Sequence, residues 1–375
     1  MKSELQIKKC QRLIDKLSLN LDNQVVLTEC ASGGYLYTPI MALLAGAKGV
    51  VAYGKTTRFG SFDDNAKLLV DIATKLGLAD RLVVTDSIAK VMALADTVDF
   101  VTNSGMLRPI TPELMSRFKP GAFISLMWEP WEFRPGDIDI EYCQENQIPI
   151  VGVNEFGKLL SMENYPFFLF TKAAHHMNSM IANESIALFG GFLTGNLIHE
   201  KLNALGIEHI WFTPDGSDGS LSFSEARGLL EKDVLDIVVF AEHLVNTVLV
   251  GHRAPLTFQE LKAHFPELKV IHICGAIDSE ELMASGLNRY PDTISGFGYM
   301  SFQPADFSFM PAIELNCIGL KAAEVFGNTY KINNDYEHAI KVAEEAGYAL
   351  DFPGGFYNYR PRDMEDFSEI QLCEK

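Results

Sequence analysis

The chain of 375 residues is too long for one ordinary domain, and its length predicts about two or three. Hydrophobic residues make up 47% of it and charged residues 21%, which leaves ample apolar material for buried cores. The formal net charge of −18 argues against non-specific nucleic-acid binding, which depends on clustered lysine and arginine. An anionic small ligand stays compatible with this charge, because a few local cations or a helix N-terminus can hold one.

The six cysteines are scattered, with no CxxC pair and no cysteine–histidine spacing typical of zinc: Cys10, Cys30, Cys143, Cys274, Cys317 and Cys373. We therefore expect reduced thiols, a cytoplasmic location and no metal site. Residues 1–17 have the pattern of an amphipathic helix and differ from a signal peptide, because charges interrupt every apolar run. No stretch approaches the length of a membrane span, so we expect no membrane partner.

The first part of the chain alternates short apolar runs with helical segments. Strands are predicted at 25–28, 49–53, 82–85, 98–102, 122–126 and 148–152. The glycine-bearing turn ECASGG (29–34) lies between the first strand and a helix, which is the order of a βαβ unit. The alternation predicts a Rossmann-like lobe with a doubly wound parallel sheet over residues 1–155.

A second lobe of the same kind is predicted over residues 184–311, after a largely helical linker at 156–183. Its strands are predicted at 186–189, 209–213, 236–240 and 269–273, with a helix at 196–205. Duplication and convergence on one pattern explain the two similar halves equally well. Amphipathic helices are predicted at 312–326 and 335–346, and we expect residues 312–375 to pack back on the first lobe, with a hinge and a ligand cleft between the lobes.

The turn between the first strand and the first helix of the second lobe has glycine at both corners. Gly190 and Gly195 match the first and last positions of G-x-G-x-x-G, which serve the tight turn and the close packing of helix on strand, while Phe192 replaces the middle glycine. Asp215 lies 20 residues beyond Gly195, where an acidic group binds an adenosine ribose. The predicted cofactor-binding residues are Gly190, Gly191, Phe192, Leu193, Thr194, Gly195 and Asp215. The alternative is a packing turn followed by a solvent-exposed aspartate.

Polar residues follow several strands of the first lobe. The turn after the first strand offers backbone N–H groups to an anion, and Lys55 and Arg58 supply cations after the second strand. Asn103 and Arg108 follow the fourth strand. The predicted substrate- or anion-binding residues are Glu29, Ser32, Gly33, Lys55, Arg58, Asn103, Trp128 and Trp131. The alternative for Lys55 and Arg58 is an ordinary solvated turn.

The segment MWEPWEFRPGD (127–137) follows the fifth strand and combines two tryptophans, two glutamates and an arginine. Ligands bind outside the carboxyl ends of such strands, and a carboxyl group beside an apolar wall has a raised pKa that suits general acid or base catalysis. An arginine there binds a substrate carboxylate, and a histidine after the corresponding fourth strand of the second lobe suits proton transfer. The predicted catalytic residues are Glu129, Glu132, Arg134 and His243. The alternative is that the tryptophans only pack the loop, Glu132 pairs with Arg134, and His243 is structural.

The run from Asp236, with VVFAEH and TFQELKAHFPELKVIHICGAIDSEEL, resembles the cofactor lobe of the D-isomer-specific 2-hydroxyacid dehydrogenases. GGFLTG approximates the glycine turn of that family, and the hinge with a returning helix matches its layout. The resemblance covers about the second half of the chain and concerns architecture. Cys274, Gly275 and Ala276 stand where the family has its substrate-binding arginine, and residues 290–304 contain no counterpart of its late histidine. The resemblance therefore implies a nicotinamide-binding fold and does not supply the family's catalytic residues.

These features favour an NAD(P)-dependent oxidoreductase that acts on a small polar or anionic metabolite, with NAD or NADP as cofactor. Two alternatives stay open: a two-Rossmann glycosyltransferase with a nucleotide sugar, and a non-catalytic ligand-binding protein on the same fold. The expected partner is a small-molecule substrate, without nucleic acid or membrane, and a homodimer is compatible with the sequence.

Overall fold

The computed structural model describes residues 2–157, 162–302 and 304–361, and these form two compact units. The first unit contains residues 2–157 and 308–361, and the second contains residues 163–307. Part of the predicted linker (158–161) and the last part of the predicted C-terminal region (362–375) lie outside the described residues.

The strands follow the predicted order and add three short edge strands: β1 (Val25–Glu29), β2 (Gly49–Tyr53), β3 (Leu82–Thr85), β4 (Phe100–Thr102), β5 (Phe123–Ser125), β6 (Ile150–Val153), β7 (Ile186–Phe189), β8 (His209–Thr213), β9 (Leu221–Ser222), β10 (Ile237–Ala241), β11 (Lys269–Cys274), β12 (Asn288–Tyr290) and β13 (Ala349–Leu350).

The α-helices are α1 (Lys2–Leu17), α2 (Tyr37–Leu44), α3 (Phe62–Lys75), α4 (Ile88–Leu94), α5 (Pro112–Met115), α6 (Ile140–Glu145), α7 (Tyr165–His176), α8 (Thr194–Ala204), α9 (Phe258–His264), α10 (Ser279–Ser285), α11 (Pro304–Phe307), α12 (Met310–Asn333) and α13 (Tyr336–Glu345). Among the residues that the structure describes, none of these helices combines the length and the apolarity that crossing a bilayer requires.

The sheet of the first unit has the strand order β13-β6-β5-β4-β1-β2-β3, and only β13 is antiparallel to its neighbour. Its central strands are continuous apolar runs, as expected for a parallel sheet covered on both faces. Strand β1 pairs with both β2 and β4, so the direction of winding reverses between β1 and β4. This reversal creates the crevice in which open α/β sheets bind ligands.

Helix α12 belongs to the core of the first unit. A Cβ atom on Gly319 would lie 2.5 Å from the Met127 sulfur, and one on Gly327 would lie 2.8 Å from the ring of Phe123. The two glycines therefore allow the helix to approach the sheet closely, and Phe326 packs edge-on against Phe123 with ring centroids 5.0 Å apart. The helix extends beyond the predicted segment and ends where Asn334 takes a left-handed conformation with φ of 54°.

The second unit has a parallel sheet with the order β12-β11-β10-β7-β8-β9. Winding reverses here between β7 and β10. Helix α7, from the segment predicted as a linker, packs on α8 and β11 within this unit. The predicted fold class, two doubly wound parallel α/β lobes, is confirmed.

Candidate functional site

Glu29 and Asn103 lie at the carboxyl edge of the first sheet, where β1 and β4 end at the point of reversed winding. The buried Glu29 carboxylate accepts a hydrogen bond from the backbone N–H of Met106 at 3.2 Å. Burial raises the pKa of Glu29 to about 7, because removal from water disfavours the charged form, while the Met106 bond and the charge of Arg108 act in the opposite direction. Glu29 is therefore a carboxyl group that titrates near neutral pH.

Asn103 is fully buried, and neither polar atom of its side-chain amide has a hydrogen-bond partner among the described residues. Its backbone, by contrast, is bonded on both sides: the N–H donates to the Ser125 carbonyl at 2.8 Å, and the carbonyl accepts from the Arg108 guanidinium at 3.1 Å. The indole nitrogen of Trp128 also lacks a partner within the described part of the chain. Unpaired buried polar atoms are costly, so this pair identifies a place where a polar ligand would gain hydrogen bonds.

Arg108 connects Asn103 with Trp128. Its guanidinium carbon lies 4.0 Å from the centroid of the Trp128 ring, and one of its nitrogens lies 3.3 Å from a carboxylate oxygen of Asp137. The side chain retains 25% exposure. A partly exposed guanidinium held over an indole ring is suited to bind a carboxylate or phosphate.

Three glutamates gather beyond the ends of β5 and β6. The Glu129 carboxylate accepts from the Trp131 indole at 2.6 Å and from the backbone N–H of Glu155 at 3.3 Å. Burial first, and then the charge of Glu129, raise the pKa of Glu132, while Arg134 and Arg108 counteract this. Burial also raises the pKa of Glu155 well above its ordinary value, with Glu132 and Glu129 adding to it. The cluster therefore holds carboxyl groups that favour a shared proton.

The predicted anion residues after β1 and β2 lie mostly in turns. Lys55 and Arg58 are exposed, and each cation lies near the ring of an aromatic residue in its own segment, Tyr53 and Phe59 respectively. Ser32 precedes a 3₁₀ turn without capping it through its side chain, and the exposed Gly33 has φ of 66°. The placement agrees with the alternative of a solvated turn, and an anion site here stays a prediction.

The glycine turn of the second unit is shaped by close packing. A Cβ atom on Gly190 would lie 2.3 Å from the Ala241 carbonyl oxygen, and one on Gly195 would lie 2.2 Å from the Gly190 carbonyl oxygen. Leu193 lies between them with φ of 55°, a conformation that an L residue rarely adopts. Close packing thus requires glycine at both corners of the turn, as the sequence motif predicts.

Glu242 is the residue at this turn whose role sequence reasoning missed. Its carboxylate is 1% exposed and accepts from the backbone N–H groups of Gly191 at 2.9 Å, Leu244 at 2.8 Å and Val245 at 3.1 Å. The Gly191 N–H belongs to the set of turn amides that hold a pyrophosphate in a dinucleotide fold. In this chain a carboxylate of the protein itself therefore binds one N–H group of the turn.

His243 lies next to the same turn. Its Nδ1 atom is 3.4 Å from the Thr194 hydroxyl and 4.0 Å from the Cys274 sulfur. Asp215 is exposed in the turn after β8, where its carboxylate accepts from the Ser217 N–H at 3.1 Å, and bonds to Ser217 lower its pKa. Of the predicted catalytic residues, Glu129, Glu132 and Arg134 belong to the first unit and His243 to the second.

No protein-family model matches the chain, and no curated protein matches it. The chain is similar to three solved structures, among others. A dipicolinate synthase chain from Bacillus halodurans is 14% identical, with a TM-score of 0.49 over 82% of this chain and 98% of that one. D-lactate dehydrogenase with NAD⁺ from Lactobacillus jensenii is 13% identical, with a TM-score of 0.44 over 82% and 97%.

The third is the NADPH-dependent glyoxylate/hydroxypyruvate reductase from Sinorhizobium meliloti, solved in complex with citrate. It is 12% identical, with a TM-score of 0.41 over 82% of this chain and 95% of that one. A D-lactate dehydrogenase and a glyoxylate/hydroxypyruvate reductase are thus among the similar structures. Similarity at this level assigns neither an activity nor a residue role.

Proposed function

We propose that the protein is an NAD(P)-dependent oxidoreductase acting on a small polar or anionic metabolite. The observation that carries the substrate part of the proposal is the convergence of Glu29, Asn103 and Arg108 at the switch point of the first sheet. It offers a cation, an unpaired amide and a carboxyl group with a pKa of about 7. This combination binds a polar anion and exchanges a proton at neutral pH.

We propose the following roles for the neighbouring residues of the first unit. Glu132, whose pKa is raised by burial and by Glu129, takes or gives the proton of a reacting hydroxyl or carbonyl group. Arg134 orients a substrate carboxylate, and Trp131 fixes the position of Glu129 through its indole bond. A proton-transfer role of His243, which lies beside the glycine turn of the second unit, stays a prediction. A nicotinamide cofactor would supply or accept the hydride.

The glycine turn supports the cofactor part of the proposal at its two corners and opposes it at Gly191. Gly190 and Gly195 lack a Cβ atom, so the backbone can approach as closely as the turn requires. Helix α8 begins within this turn. Glu242, however, places a negative charge against the Gly191 N–H. A bound pyrophosphate must use the remaining amides of the turn or displace this carboxylate.

A thermal-unfolding panel of the wild-type chain with NAD⁺, NADP⁺ and UDP tests the proposal. A ligand at 100 times its dissociation constant adds about 2.7 kcal/mol of stability. We expect a nicotinamide nucleotide to stabilise the wild-type chain. Asp215→Ala should bind that nucleotide about tenfold more weakly. Asp233→Ala, at another exposed aspartate of the same unit, is the control and should bind it as the wild type does. Stabilisation by UDP alone would favour the glycosyltransferase instead.

A second candidate is a ligand-binding protein that uses no dinucleotide. The observation that favours it is the buried Glu242 carboxylate, which accepts the Gly191 N–H of the turn and two N–H groups of its own loop, those of Leu244 and Val245. This candidate predicts that none of the nucleotides stabilises the chain, while small carboxylates still bind at the first sheet.

A further inference from the structure

The second unit contains a cavity of about 430 Å³, lined by Val248, His252, Arg253 and Asp278. Glu281 lies beside it, and His252, Asp278 and Glu281 each offer a potential metal-ligand atom, with these atoms all within 4.8 Å of one another. The three residues come from the loop after β10 and from the start of α10. In the chain, His252 and Asp278 are 26 residues apart and Asp278 and Glu281 are 3 apart, so no short sequence motif identifies the three together.

Backbone geometry holds His252 next to Asp278. Gly251 has φ of 144°, and a Cβ atom there would lie 2.2 Å from the Asp278 Cβ, so only glycine permits this approach. The His252 N–H lies 3.4 Å from one Asp278 carboxylate oxygen, and the Asp278 N–H donates to the Val250 carbonyl at 3.0 Å. The imidazole itself is exposed.

Glu281 supplies a second, independent observation. Its side chain is 1% exposed, and only one of its carboxylate oxygens is bonded, accepting from the Gln259 N–H at 3.1 Å. The other oxygen, Oε2, is buried without a hydrogen-bond partner among the described residues and lies 3.9 Å from Nδ1 of His252. A buried carboxylate oxygen without a bonded partner is costly, and a cation between it and the imidazole would compensate its charge.

We infer that His252, Asp278 and Glu281 bind a divalent transition-metal ion such as Zn²⁺. One imidazole nitrogen and two carboxylate oxygens are ligands that zinc accepts, at about 2.0–2.2 Å. Tetrahedral bonds of this length place ligand atoms about 3.4 Å apart, so ligand atoms that lie within 4.8 Å of one another need to move by about 1 Å or less to bind one ion. Three protein ligands leave a position open to the cavity, where Arg253 adds a cation that favours an anionic fourth ligand.

The test is a calorimetric titration of the full chain with Zn²⁺. Cys373→Ser serves as the parent, because that thiol lies outside the described residues and thiolates also bind zinc. We expect one zinc ion per chain, and at least tenfold weaker binding in both His252→Ala and Glu281→Gln. His338→Ala, which removes an exposed histidine of the first unit, leaves the affinity unchanged.

Two results would overturn the inference: absence of zinc binding to the parent, or binding that His252→Ala leaves intact. His252 is exposed, so its variant is expected to fold, and circular dichroism of each variant excludes unfolding as the cause of a loss. Mg²⁺ in parallel titrations distinguishes a hard-cation site, because a zinc site with an imidazole ligand binds magnesium weakly. Equal affinity for both ions would also contradict the assignment. The titration needs no nucleotide, so it is independent of the proposed function.

Discussion

The carboxylate of Glu242 lies 2.9 Å from the backbone nitrogen of Gly191 and accepts its hydrogen bond. In a dinucleotide-binding lobe, amides of this turn face the pyrophosphate. In this chain a carboxylate of the protein itself binds one of these amides. If the second unit binds a nucleotide as proposed, Glu242 competes with its phosphates for this N–H group.

Glu242→Gln is expected to separate stability from nucleotide binding. The variant loses charge-assisted bonds to backbone N–H groups and should be destabilised by about 2 kcal/mol in urea denaturation. Its affinity for NAD⁺ or NADP⁺ should rise at least tenfold, because a phosphate no longer meets a like charge. Glu231→Gln, at an exposed glutamate of the same unit, should change neither quantity. Weaker nucleotide binding in Glu242→Gln would show that the carboxylate assists the ligand.

Glu29 should make stability depend on pH. Its pKa is about 7 in the folded chain, against an ordinary value of 4.5. Between these values the folded chain retains a proton that the unfolded chain has released, so stability falls as the pH rises through this window and levels off above it. Across this window the free energy of unfolding should fall by a total on the order of 3 kcal/mol.

Glu29→Gln removes the titrating group and keeps the acceptor for Met106. We expect the variant to be more stable than wild type at pH 8, by about 1–3 kcal/mol, and to differ little at pH 5. Denaturant unfolding at the two pH values measures this, and Glu113→Gln, at an exposed position, keeps the wild-type slope. An unchanged pH slope in Glu29→Gln would contradict the assignment.

Asn103→Leu tests whether the buried amide serves a ligand. Because its side-chain atoms have no partner among the described residues, an apolar side chain of similar size should keep or raise the stability, by up to about 1 kcal/mol. Binding of small carboxylates, followed by calorimetry, should weaken. A stability loss above about 2 kcal/mol would mean that the amide serves the fold.

Gly195→Ala tests the close packing of α8 on β7. The added Cβ would meet the Gly190 carbonyl oxygen at 2.2 Å, so we expect a loss of about 3 kcal/mol or more in denaturant unfolding. Gly228→Ala is the matched control, since no described atom outside its own chain neighbourhood lies within 4 Å of its Cβ position. Equal stability of the two variants would contradict the packing.

Sequence reasoning succeeded where the signal is local and failed where it depends on tertiary pairing. The buried strands β1, β2 and β7 are continuous apolar runs, and their predicted positions agree with the structure to within a residue. The edge strands β9 and β13 have two residues each, too few to show periodicity.

The residues of the candidate site also divide into those with a local sequence signal and those whose contacts depend on tertiary pairing. The place of Glu132 in the loop after β5 could be predicted, because the apolar strand that precedes this loop is visible in the sequence. The contact of Glu129 with the N–H of Glu155 could not, since it depends on the pairing of β5 with β6. In the same way, the bond between Glu242 and Gly191 spans 51 residues and requires β10 to lie beside β7.

The position of α12 in the core of the first unit has a consequence for the order in which the chain folds. Residues 163–307 form their own unit and interrupt the first one along the chain. Gly319 and Gly327, at which α12 packs closely on the first sheet, are therefore synthesised after the second unit. Domains fold as units during synthesis, so the second unit can complete its sheet while the first still lacks a helix that covers Phe123. Until residues 308–361 emerge, α12 cannot cover Phe123, and we expect aggregation of the nascent chain to depend on how soon this segment follows.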